Sequence, residues 1–243
     1  MPHRASRLSF GARVYIAVIV VAGTLAVGAS VYDLMVAPPS HQWLFLAGLA
    51  FLTGSFSIKL PSINARISVS EAFVFAAVLL FGPSAATIIV TLDAIILSSW
   101  ASKRSHSKVR AAFNICAAAT AIWVAAHLFR LLLPETPSTP RLEEILIPVA
   151  VLSASYFAVN SFFIAIAVSY EKSSSPIEIW KQNFAWVGLN YVGGASVAML
   201  LVTYGQSIDF MAVSVILPML AITYLTFRTS LGRVADANRH LTQ

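Results

Sequence analysis

The sequence predicts an all-α integral membrane protein, and three observations carry that reading. Of its 243 residues, 58% are hydrophobic and only 11% charged, against roughly 45–50% and 25% in soluble domains. The apolar residues fall into eight runs near the length of a membrane crossing, about 20 residues at 1.5 Å rise per residue. Finally, 14 of the 16 basic residues collect in alternate connections between those runs.

The runs cover residues 14–34, 43–58, 67–82, 84–100, 111–129, 145–168, 184–204 and 210–227. The first is longer than a signal-peptide core and is followed by further apolar runs, so it is expected to stay as an anchor. Arg4, Arg7, Arg13, Lys59, Arg66, Lys103, Arg104, Lys108, Arg110, Lys172, Lys181, Arg228, Arg233 and Arg239 fall on one side. Only Arg130 and Arg141 fall on the other, with Asp33, Glu135, Glu143, Glu144 and Asp209. The positive-inside rule then places both termini in the cytoplasm.

The third and fourth runs meet at Gly82-Pro83 without a spacer. Two short spans are the preferred reading, but a re-entrant hairpin returns the chain to the same side, so the charge pattern does not separate them. Ahead of this pair, KLPSINARISVS (residues 59–70) alternates apolar Ile63, Ala65, Ile67 and Val69 with polar neighbours. That is strand spacing, expected at the cytoplasmic interface or buried among helices, because open backbone does not face lipid. The connection at 134–141, PETPSTPR, is too proline-rich for a helix. Ser173 to Pro176 has the composition of a helix start, with Trp180 placed for headgroup depth.

An ionisable side chain at the centre of a span costs about 2.5–3.5 kcal/mol on insertion scales, so it invites a functional reading. Glu71 and Asp93 are the two such residues. Measured inward from the cytoplasmic ends, they share a depth with Asn114, Asn160 and Asn190. Five polar residues on five runs at one depth would line a ligand pocket or lock the bundle as a polar network. At the opposite end, His127 and Arg130 are three residues apart on one face. They would meet an external anion, though an interfacial Arg that snorkels is the plainer reading.

Nothing in the chain has the pattern of an enzyme: there is no Gly-rich phosphate loop, HExxH or GxSxG, and the five histidines are scattered. No cofactor, metal or nucleic acid is expected. Cys116, the single cysteine, is expected to pack as a small hydrophobe. Ala22, Ala26 and Ser30, and Gly194 with Ala198, are small residues at helical spacing, the composition of helix contacts.

The last run continues past the membrane as YLTFRTSLGRVADANRHLTQ. Leu231, Val234, Asn238 and Leu241 are spaced as a and d positions of two heptads, with Asn238 at an a position, where Asn fixes register in parallel dimers. The expected organisation is a transmembrane module over residues 1–227 and a cytoplasmic coiled-coil-like helix over 228–243. A homodimer through that seam is expected, with membrane lipid and an unnamed small ligand as the other partners.

Residues 60–100, the RAAFN around Asn114, the LNYVGGAS around Asn190 and the C-terminal segment together resemble the multi-span N-terminal sensor module of bacterial HD-GYP phosphodiesterases and GGDEF diguanylate cyclases. The resemblance implies an inner-membrane sensory or anchoring module whose last helix leads into a cyclic-di-GMP output domain. Neither the HD and GYP motifs nor GGDEF occurs in these 243 residues, so the module is expected to stand here without its output, as a truncated product or a stand-alone relative. A weaker likeness, carried by ISVSEAFVFAAVLLFGPSAA and Ala22-x-x-x-Ala26, is to substrate-binding membrane subunits of energy-coupling-factor vitamin transporters.

Overall fold

The computed structural model describes residues 9–54, 58–59, 66–67, 70–102, 108–133 and 142–204. Over these residues the fold is helical: α1 (Phe10–Val36), α2 (Gln42–Gly54), α3 (Glu71–Ser102), α4 (Lys108–Leu132), α5 (Leu142–Lys172), α6 (Pro176–Asn183) and α7 (Gly188–Tyr204). Ser9 caps α1, its side chain accepting from the Ala12 amide at 3.2 Å. Ser175 and Pro176 open α6, as their composition predicts. A minimal antiparallel pair, β1 (Ile58–Lys59) and β2 (Arg66–Ile67), sets Ile58 opposite Ile67, and the rest of the alternating segment up to Val69 lies outside the described residues.

By length and composition alone, four helical stretches among the described residues could cross a membrane: Phe10–Val36, Glu71–Ser98, Lys108–Leu132 and Glu144–Lys172, the second of them broken at Gly82. Eight transmembrane helices are therefore not supported. The 13 residues of α2 extend only about 20 Å, against a hydrocarbon layer of about 30 Å. The expected third and fourth spans share the single element α3, and α6 with α7 makes at most one further crossing, bent by 60°. The expected eighth span at 210–227 and the seam at Leu231, Val234, Asn238 and Leu241 lie outside the described residues.

Within α3, Gly82 alone leaves helical geometry, at φ 83° and ψ −173°. This region is open essentially to glycine only, and Pro83 disfavours helical backbone in the residue before it. A straight helix would set Ser70 and Asp93, 23 residues apart, about 34 Å from one another. Their side chains instead hydrogen-bond at 2.7 Å, so the chain folds back at Gly82 as a helical hairpin. The arm 71–81 is about 16 Å long, too short to cross on its own. Every residue of 71–78 is buried, the signature of a core helix with no lipid-facing side.

Around this hairpin the other helices pack through small residues. On α1 the buried positions are Ala12, Ile19, Gly23, Ala26 and Ser30, and a methyl group at Gly23 would collide with the Cβ and backbone of Cys116 on α4. The stripe expected at Ala22, Ala26 and Ser30 thus has Gly23 as its tightest contact, and Cys116 packs as a small residue against it. α4 runs antiparallel to α5, with Arg110 near the start of one paired to Glu171 near the end of the other at 2.9 Å. Tyr15 ties α1 to α5 by donating to the Phe163 carbonyl at 3.0 Å.

Substituting Gly82 tests the hairpin. Nothing lies within 4 Å of a Cβ built there, so Gly82→Ala meets only backbone strain, expected to cost about 1–3 kcal/mol. Gly28 also faces open space, within helix α1, so Gly28→Ala should be neutral or stabilising by up to about 1 kcal/mol. Thermal unfolding of the purified variants in one detergent gives the comparison, and equal midpoints would contradict the strained turn.

Candidate functional site

The first arm of the hairpin starts inside the bundle. Ser70 opens it, its carbonyl accepting from the Phe73 and Val74 amides at 3.0 and 3.1 Å. Asp93, to which Ser70 donates, stands nine residues before the end of the second arm, or about 13 Å along it. The helix start and its first acidic residue, Glu71, are therefore seated at depth. Glu71 and Asp93 are each only 7% exposed.

Two other helices meet this point. From α7, the Asn190 amide donates to Glu71 Oε2 at 3.4 Å. From α5, the Asn160 amide donates to the Tyr191 hydroxyl, also at 3.4 Å. Both are long for hydrogen bonds, whereas the Ser70–Asp93 contact is short and strong. Close approach of α7 depends on Gly194, where a Cβ would stand 3.2 Å from Glu71 Cβ and 3.3 Å from the Ala72 amide. Aromatic rings close the site on its apolar side. Tyr191 lies 5.4 Å from Tyr156 and 5.2 Å from Phe157, and Tyr156 meets Phe75 edge-on at 5.9 Å.

Four of the five expected residues thus lie on the three elements that meet here: Glu71, Asp93, Asn160 and Asn190. Asn114 does not join them, being exposed on α4 beside the buried Phe113; one residue step turns a side chain by 100°, enough to leave the packed face. Position along a helix is legible in sequence, but the direction a side chain faces is not. Ser70, Tyr156 and Tyr191 were not expected. The spacing of Tyr156 and Asn160, four apart on one helical face, is the signal that would have included the first tyrosine.

Chemically the site brings two carboxylates, two amides and two phenols together in an apolar bundle. It suits a proton, or a ligand presenting hydrogen-bond donors. Among the described residues no three His, Cys, Asp or Glu side chains group as metal ligands.

At the far end of the hairpin a second concavity opens. Its volume is about 560 Å³, and Asp33, Gly82, Pro83, Ser84, Phe129 and Arg130 are among its lining residues. The Ser84 hydroxyl donates to Asp33 Oδ2 at 2.8 Å. His127, expected beside Arg130, makes a 2.7 Å hydrogen-bond contact from Nδ1 to the Trp123 carbonyl, and its ring lies 4.0 Å from that of Trp123.

The MASE9 family model matches residues 40–227, a stretch that contains the hairpin and the whole polar cluster. The chain belongs to the MASE9 family. MASE9 is a membrane-associated sensory domain family, and with the four apolar helices this identifies a membrane protein of sensory type. The family and the helical fold suggest a non-catalytic module. No curated protein and no solved structure matches the chain.

If the MASE9 cluster holds the helices together, its members differ in stability effect from the outlier. Asp93→Ala and Asn190→Ala are each expected to cost about 1–3 kcal/mol, the penalty of leaving a buried polar partner unsatisfied. Asn114→Ala should stay within about 0.5 kcal/mol. Thermal melts of the three purified variants decide it, and a loss at Asn114 matching that at Asp93 would refute the grouping.

Proposed function

We propose that this MASE9 chain is the sensory module of a cyclic-di-GMP signalling protein, and that the buried polar cluster is the element whose rearrangement constitutes the signal. One observation carries the reading: the Glu71 end of the hairpin bonds to α7, the last described helix before the C-terminal segment. A change of protonation or of ligand at Glu71 and Asp93 would therefore alter the seating of α7 directly. Glu71, Asp93, Asn160 and Asn190 form the responsive set.

From α7 the signal passes to residues 205–243. Pro218 removes one helical hydrogen bond there and permits a pivot. The Leu231, Val234, Asn238 and Leu241 seam then pairs two copies of the chain in the cytoplasm, ahead of an output domain that makes or hydrolyses cyclic di-GMP. In this arrangement both termini face the cytoplasm of a bacterial inner membrane, and the Arg130 end of the bundle faces away from it.

Two measurements test this. Reporter fusions placed within 134–141 and after Gln243 should report opposite sides of the membrane. Grafting Met1 to Gln243 onto a diguanylate cyclase domain, with the junction lengthened by one to seven residues, should make activity oscillate with helical or heptad phase. Activity indifferent to junction length would overturn the transmission reading and leave a passive anchor.

A further inference from the structure

We infer that the concavity at the hairpin tip is a second binding site, one that takes a small zwitterion with an apolar body. It is separate from the polar cluster at the other end of the same hairpin, and its test reads binding directly, so it stands or fails apart from the signalling role proposed above.

The argument begins with charge. Asp33, from the end of α1, and Arg130, from the end of α4, line the same cavity, yet no ion pair joins them. A carboxylate and a guanidinium on the walls of one concavity disfavour any ligand of single charge: an anion drawn to Arg130 meets Asp33, and a cation drawn to Asp33 meets Arg130. A zwitterion satisfies both. Its carboxylate or phosphate pairs with the forked guanidinium, which suits planar acceptors, while its ammonium faces Asp33.

Shape and position agree with this. About 560 Å³ falls within the roughly 300–1,000 Å³ of small-molecule sites, and Leu79, Phe81 and Phe129 supply an apolar wall. Asp33 is held in place by the Ser84 hydroxyl, and Ser84 belongs to the turn made by Gly82 and Pro83. An occupant of the cavity therefore touches the fold-back itself. The same chemistry comes from two sources, a free amino acid with an apolar side chain or a phosphatidylethanolamine headgroup.

The full chain in phosphatidylglycerol nanodiscs separates them. Thermal midpoints are recorded with added L-leucine or L-phenylalanine, and in nanodiscs where phosphatidylethanolamine replaces part of the phosphatidylglycerol. A midpoint that climbs with amino-acid concentration identifies a free solute, and one that climbs with phosphatidylethanolamine identifies the headgroup. In either case Arg130→Gln and Asp33→Asn should each weaken the effect about tenfold, the loss of one charge-assisted contact. Both side chains are exposed, so the unliganded midpoints should hold. Arg130→Lys, which keeps the charge and should retain part of the effect, supplies the reading if Arg130→Gln does not fold. No climb with either source, or a climb indifferent to both charges, overturns the site.

Discussion

The fold depends on one buried hydrogen bond, from Ser70 to Asp93, and on the single glycine that lets it form. In the interior of a membrane bundle an unsatisfied carboxylate or hydroxyl costs several kcal/mol, so each of these two groups needs a partner from protein. The hairpin supplies them to each other across 23 residues of sequence. Once the arms are joined there, the first arm can lie buried on all sides without crossing the bilayer. Its starting turn is held at depth, where α5 and α7 can reach it.

Packing around the hairpin follows from the absence of a hydrophobic drive between helices in lipid. Apolar side chains gain little by leaving lipid for one another, so close backbone approach and interhelical polar contacts decide which helices touch. Gly23 against Cys116 excludes a methyl group, and Gly194 against Glu71 nearly does so. The second bears on the site. A larger residue at 194 would push α7 from the arm that carries Glu71 and lengthen the Asn190 contact, which at 3.4 Å has no slack.

Much of this was legible in the sequence, and the failures have a common cause. Composition gives a helical membrane protein, and hydropathy locates α1, α4 and α5 to within a few residues. The extended backbone at Lys59 and at Arg66–Ile67 falls inside the segment whose alternation predicts it, and Gly82-Pro83 marks the break. What hydropathy does not distinguish is an apolar run that crosses from one that folds back, because buried core and lipid-facing surface are equally apolar. The run at 67–82 therefore reads as a span although its helix begins only at Glu71 and is core from there to Val78. Asn114 fails for the related reason that depth follows from counting residues, whereas facing depends on how neighbouring helices are rotated. Ser70 and the two tyrosines raise no alarm in the sequence because a hydroxyl in a helical run commonly finds a backbone carbonyl to bond, a partner that Glu71 and Asp93 lack when ionised.

The hairpin also relates the two ends of the molecule. Its turn borders the cavity that Asp33 and Arg130 share, and its ends carry the contacts to Asn190 and Asp93. Both arms are regular helix, so a displacement imposed at Gly82 is not absorbed along 71–81 and has to appear where that arm terminates. There it meets the short Ser70–Asp93 hydrogen bond and the long one from Asn190 to Glu71. The short Ser70–Asp93 contact lies within the hairpin and moves with it, while the 3.4 Å contacts join the cluster to α7, directly from Glu71 and through Tyr191 with α5. Of these three contacts the two long ones join different elements, the hairpin to α7 and α7 to α5, which is where a rigid lever would be expected to slip.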